Sequence, residues 1–179
     1  MARDLSLLTG KSKGFTIPEL LVVVAIISLL TALTLPNWRA GEKSLALQRS
    51  AFKLAQDIRR TEEMSLRAEA FTCQEGNITG YGMVFNTSSP DTYTLFADCD
   101  GDNTYGAGDS EVEILEFEGN TVISNLVPGP WASVVFVPPT PLIWLKPGSP
   151  QEIQIQLTST GGSQTREVTI TRKGIIDIE

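Results

Sequence analysis

The sixteen residues from Leu20 to Leu35 are apolar except for Ser28, Thr31 and Thr34, and a single carboxylate, Glu19, stands directly before them. As a helix the run spans about 24 Å, and Phe15–Pro36 spans about 33 Å. A bilayer hydrocarbon core is about 30 Å thick, so the segment is long enough to cross one. Glu19 is the anomaly. A carboxylate carried to mid-bilayer depth costs about 2.5–3.5 kcal/mol, so the chain needs a partner for that charge.

Before the run lies a short polar leader, Met1–Gly14, with Arg3, Lys11 and Lys13 against Asp4. Its charge of +2 leaves −9 on the remainder of a chain whose net charge is −7. Basic residues ahead of an apolar span predict a cytoplasmic leader and an exported body. A cleavable secretory signal would instead need a small-x-small site after the run, which ends Ala-Leu-Thr-Leu-Pro-Asn-Trp. A buried core helix would leave both the leader and Glu19 unexplained. The acidic remainder argues against nucleic acid as a partner. The chain has no histidine, which removes Ser-His-Asp and Cys-His catalysis and histidine-ligated metal together.

Pro36 lacks the N–H that would reach the carbonyl of Ala32, so the helix is expected to bend or loosen there. Thr31 or Thr34 is expected to take up part of the freed hydrogen bonding. Residues 37–70 are expected to continue as an amphipathic helix, with Leu47, Ala51, Leu54, Ala55 and Ile58 on one stripe. Beyond Ala70 the periodicity becomes strand-like. Nine short β-prone runs follow: Tyr81–Phe85, Thr92–Ala97, Val112–Phe117, Thr121–Val127, Ser133–Val137, Leu142–Leu145, Glu152–Thr158, Arg166–Thr171 and Gly174–Ile178, separated by Gly, Pro, Asn and Ser clusters. Strict alternation predicts that Glu152–Leu157 is half buried. Pro138 and Pro139 are expected to end the 133–137 run or set it at a sheet edge. Trp131 and Trp144 are read as core or edge packing.

The stretch Gly-Phe-Thr-Ile-Pro-Glu-Leu-Leu-Val-Val-Val-Ala-Ile-Ile, from Gly14, resembles the prepilin signal of type IV pilins and of the pseudopilins of type II secretion. Residues 54–67 and the closing segment 166–178 are similar to the GspH/FimT family of minor pseudopilins and minor pilins. This resemblance implies an α+β, type IV pilin-like fold, with a long N-terminal helix packed on a C-terminal antiparallel β domain. It implies a leader over 1–14, a membrane or filament-core helix over 15–36, an amphipathic helix over 37–70 and a β-rich body over 71–179. It also implies cleavage between Gly14 and Phe15 by a prepilin peptidase, methylation of the Phe15 amine, and a kink at Pro36. Glu19 would pair with the amino terminus of a neighbouring subunit.

Three features of the body carry further expectations. Cys73 and Cys99 are an even pair in an exported domain, which favours a disulfide over two half-buried thiols. The loop from Asp98 to Glu111 offers carboxylates at Asp98, Asp100, Asp102 and Asp109, the hard oxygen donors that Ca²⁺ takes. Its glycine and final carboxylate do not fit an EF-hand, and an acidic turn joining two strands is the competing reading. Arg166, Arg172 and Lys173 form a basic cluster, read as a solvated turn rather than a DNA contact.

The expected function is therefore mechanical and not enzymatic. The chain is read as a minor pseudopilin of a type II secretion pseudopilus, or else as a minor pilin of a type IV pilus acting in adhesion, motility or DNA uptake. A membrane-anchored, calcium-dependent binding module is the alternative of another class. Its expected partners are other pilins, the peptidase and an inner-membrane assembly platform. Its expected place is a single pass through the bacterial inner membrane, with the body periplasmic or extracellular. Calcium is the one cofactor considered.

Overall fold

A computed structural model of the chain describes residues 14–73, 76–139, 142–161 and 164–179, with the side chains of 35–40 set aside. Apart from Gly14, the leader lies outside the described residues. The expected kink falls there too, because the side chain of Pro36 is among those set aside. The chain divides into two units, 1–39 and 40–179. Helix α1, Ile17–Leu66, supplies the described helix of both.

In the first unit, Ile17–Thr34 is apolar and long enough to cross a membrane, and none of it is buried. Its hydroxyls are satisfied within the helix. Ser28 donates to the Val24 carbonyl at 2.8 Å, Thr31 to Ile27 at 2.8 Å and Thr34 to Thr31 at 3.1 Å. Such internal bonding lets a polar side chain sit in an apolar span without water. Neither threonine donates to the Ala32 carbonyl, contrary to expectation, because each hydroxyl turns back toward an earlier carbonyl.

In the second unit, Leu47, Ala51, Leu54, Ala55 and Ile58 of α1 are buried, as their spacing predicts. Two serines on the same stripe fix the helix to the sheets. Ser50 Oγ donates to the Glu118 carbonyl and accepts from the Glu118 N–H at 2.9 Å, and Ser65 donates to the Phe136 carbonyl. The helix ends at Leu66, short of the expected Ala70. Ala68 adopts φ 46°, its N–H bonds the Ser65 carbonyl at 3.0 Å, and the Glu69 N–H bonds Met64 at 3.1 Å. This pair of bonds around a left-handed residue is a Schellman stop.

Nine strands follow: β1 Gly80–Asn86, β2 Thr92–Asp98, β3 Ser110–Glu116, β4 Thr121–Val127, β5 Trp131–Val137, β6 Leu142–Lys146, β7 Glu152–Ser159, β8 Thr165–Thr171 and β9 Ile176–Ile178. They form two antiparallel sheets, ordered β3-β2-β1-β5-β6 and β4-β7-β8-β9. Each expected run is one of these strands, with no end moved by more than two residues and Thr121–Val127 unchanged. β7 alternates buried and half-buried after its first residue, as its sequence predicts. β5 stops at Val137 before the two prolines and lies inside its sheet, between β1 and β6.

The core joins the α1 stripe to the inner faces of both sheets, through Met83, Phe85, Leu95, Val134, Ile155 and Ile170 among others. Tyr93 is buried within it, yet its hydroxyl reaches Asp57 Oδ2 on α1 at 2.6 Å. Burial, and then the Asp57 carboxylate that accepts its proton, push the phenol well above its ordinary range. A hydrogen bond to a charged acceptor contributes about 1.5–3 kcal/mol. Tyr93→Phe is therefore expected to destabilise the body by about 2 kcal/mol in urea unfolding at pH 7. The raised phenol pKa sets the sign with pH. The bond's contribution is present below the unfolded tyrosine pKa and is lost as pH rises past it.

The outer face of the five-stranded sheet has a packed row of its own. Register aligns Glu111, Phe96, Gly82, Val135 and Trp144 across β3, β2, β1, β5 and β6. The Phe96 ring lies on Gly82, where a Cβ would stand 2.6 Å from its Cζ. Tyr105 from the β2–β3 loop covers Phe96, with ring centroids 5.0 Å apart, and its hydroxyl donates to Glu111 at 2.5 Å. This row explains why β5 is buried on both faces, and it fastens the acidic loop to the sheet.

Candidate functional site

The N-terminal turn of α1 is built by Thr-Ile-Pro-Glu. Thr16 precedes the helix, Pro18 occupies a first-turn position whose N–H would have no helical partner, and Leu20 N–H makes the first helical bond to the Thr16 carbonyl at 3.1 Å. Glu19 Oε2 accepts from the Thr16 N–H at 3.5 Å. Thr-x-x-Glu with the glutamate reaching back is half of a capping box. A carboxylate here also meets the positive end of the helix dipole. The glutamate expected to partner a neighbour's amine is thus also this helix's own cap. Sequence reasoning missed that second role, although the capping signal lies in the same four residues.

At 3.5 Å the cap is a long hydrogen bond to a neutral amide. A protonated amine offers a charged donor and a shorter, stronger bond. The geometry therefore leaves Glu19 free to exchange Thr16 for a cation. Phe15, the expected new N-terminus, is 81% exposed, and Ile17 is 80% exposed.

In the body, Cys73 and Cys99 are joined as a disulfide, with Cα atoms 5.9 Å apart and a sequence separation of 26. It ties the α1–β1 connection to the start of the acidic loop. Thr79 adds a second tie there, its N–H and hydroxyl both donating to the Asp98 carbonyl at 2.8 and 3.0 Å.

The acidic loop brings three of its four expected ligands together. One carboxylate oxygen from each of Asp98, Asp100 and Asp102 lies within 4.8 Å of the others. Asp109 is used elsewhere, accepting from the N–H groups of Cys99 at 3.1 Å and Gly106 at 2.8 Å. Asp98 is fully buried and accepts from Gly101 at 2.7 Å and Asn103 at 3.2 Å. These bonds tie the loop to its own backbone, as Asx turns do. Burial still pushes both Asp98 and Asp109 above the ordinary aspartate range, and the Asp100 charge pushes each further.

A carboxyl raised in the fold binds protons more tightly there than in the unfolded chain. Its effect is to lower stability as pH rises above the unfolded value. Asp100→Asn keeps the Oδ1 that accepts from Asp102 N–H at 3.1 Å and removes the charge. It should raise Tm by about 1–3 °C at pH 7 and leave it unchanged near pH 3. The same melts with calcium test the expected site. Bound calcium would raise the wild-type Tm above that of the variant, and no rise would leave the loop an acidic turn.

Residues 9–35 match the family described as the prokaryotic N-terminal methylation motif. Over 174 residues the chain is 30% identical to the pilin-like protein PilA1 of Thermus thermophilus, an alignment that covers 93% of this chain and 98% of that protein. No solved structure matches the chain at a significant level. The methylation motif, the apolar N-terminal helix, the antiparallel β body and this full-length similarity lead to one conclusion: the chain belongs to the type IV pilin-like family, whose members assemble with other pilins into filaments.

Proposed function

We propose that the chain is a minor subunit of a type IV pilus, acting through assembly and carrying no catalysis of its own. The observation behind this reading is the Glu19 carboxylate, weakly capped at the start of a membrane-length apolar helix, within a methylation motif. In this reading the leader remains cytoplasmic and the apolar helix holds the chain in the inner membrane with its body outside. A prepilin peptidase cuts between Gly14 and Phe15 and methylates the new amine. An inner-membrane platform then lifts the subunit into the filament, where Glu19 leaves Thr16 for the amine of a neighbouring subunit.

The name of the Thermus relative, a pilin-like protein, favours a pilus. The resemblance of residues 54–67 and 166–178 to GspH/FimT proteins supports a second reading, a minor pseudopilin of type II secretion. Deleting the gene in the native organism separates the two. Loss of surface pili with normal exoprotein release supports the pilus. Exoproteins retained in the periplasm with normal piliation would move the chain to the pseudopilus.

A further inference from the structure

Two asparagines begin an Asn-x-Ser/Thr triplet, Asn77-Ile78-Thr79 and Asn86-Thr87-Ser88. In an exported protein this triplet is the acceptor for N-linked glycan. The structure treats the two differently. Asn86 ends β1, and its side-chain oxygen accepts from the Ser88 N–H at 2.9 Å in a tight turn. Thr87, between them, donates both its N–H and its hydroxyl to the Pro130 carbonyl. Asn77 is exposed in the irregular connection between α1 and β1, and no described residue holds its carboxamide. The sequences also differ two positions upstream, with Glu75 before Asn77 and Val84 before Asn86. A carboxylate two positions before the asparagine gives a transferase a charged group to recognise, and of the two triplets only that of Asn77 has one.

We propose that Asn77 is a glycosylation site of the exported body. The co-reactant is a polyprenyl-diphosphate-linked oligosaccharide. The Asn77 side-chain nitrogen attacks the anomeric carbon, the bond from that carbon to the diphosphate oxygen breaks, polyprenyl diphosphate leaves, and one amide proton passes to a base on the transferase. The proposal rests on the reading of the body as exported, where such donors are presented.

The surroundings of Asn77 also set the timing. A transferase must grip the hydroxyl at the third position, yet Thr79 gives its hydroxyl to the Asp98 carbonyl. The disulfide to Cys99 fixes the other flank. Gly76, at φ 80°, runs so close to the Cys99 carbonyl that a Cβ would collide with it. The closed disulfide therefore competes with the transferase, and the glycan is added before the disulfide forms.

The test uses the full-length chain in detergent, oxidised or reduced, incubated with a bacterial oligosaccharyltransferase and its lipid-linked oligosaccharide. Peptide mass spectrometry locates the glycan. One glycan on Asn77 is expected, none on Asn86, none in Asn77→Gln, and occupancy about threefold higher after reduction, since reduction lowers the cost of local opening. No glycan in either redox state, or a glycan on Asn86, overturns the site. Equal occupancy in the two states overturns the timing. A parallel sample treated with a prepilin peptidase reports on the filament reading separately. Cleavage without glycan removes only the acceptor site, whereas glycan without cleavage at Gly14 removes only the filament reading.

Discussion

Glu19→Gln leaves the start of α1 intact and removes the chain from the filament. Glutamine retains the side-chain oxygen that accepts from the Thr16 N–H, so the cap survives. What it loses is the charge. In the proposed filament contact the carboxylate and a neighbour's amine lie among apolar helices. Removing one partner of a buried ion pair costs about 3–5 kcal/mol, because the other charge is left uncompensated. Incorporation should therefore fall by a factor of about a hundred or more, read as variant recovered in sheared filaments against processed variant in the membrane. Glu19→Ala loses the charge and the cap together, adding only about 0.5–1 kcal/mol of helix fraying. The two variants should thus fail alike in assembly and differ slightly in helix content. Normal incorporation of Glu19→Gln would reduce Glu19 to a cap.

Cys73→Ser is the second large effect. The disulfide joins residues 26 apart in sequence, a closure worth about 3.5 kcal/mol in the chain-entropy model. The loss should appear as a lower denaturation midpoint. Cys99→Ser should match it, and the double variant should cost little more than either single change, because one bond is being removed in all three. Additive losses would mean that the thiols act independently. With the disulfide gone, the Thr79–Asp98 bonds are the remaining tie and open more readily, so the connection should loosen, while the Schellman stop keeps α1 at its length.

Much of this fold is written in local patterns. Leu47, Ala51, Leu54, Ala55 and Ile58 mark the buried face of α1 because each contact lies one turn from the next. β7 is legible because alternation every second residue records one buried face. The division of nine strands into sheets of five and four is not legible in this way, since it depends on pairings such as β1 with β5 that no local pattern encodes. The end of α1 misled for a related reason. Residues 67–70, Arg-Ala-Glu-Ala, are good helix formers, and the left-handed turn at Ala68 replaces the glycine that usually announces such a stop. The row Phe96–Gly82–Val135–Trp144 was hidden because its members come from four strands.

The site was legible in part. Glu19 stands out as a charge placed directly before an apolar run, whereas Gly14 and Phe15 are marked only by the resemblance to prepilin signals. The capping role of Glu19 needed only the Thr-x-x-Glu pattern. The acidic loop shows the limit. Four carboxylates suggest a ligand set, but backbone N–H groups within the loop compete for the same oxygens, and Asp109, bonded to those of Cys99 and Gly106, does not join the cluster of the other three.

The most direct test is the mature N-terminus. The full-length chain is expressed in cells with and without a prepilin peptidase, and its terminal peptide is measured by mass spectrometry. Residues 1–14 should be lost only where the peptidase is present, leaving Phe15 first and carrying one methyl group on its amine. Retention of residues 1–14 in the peptidase-positive cells, or cleavage beyond Leu35, would contradict a prepilin that is processed for assembly.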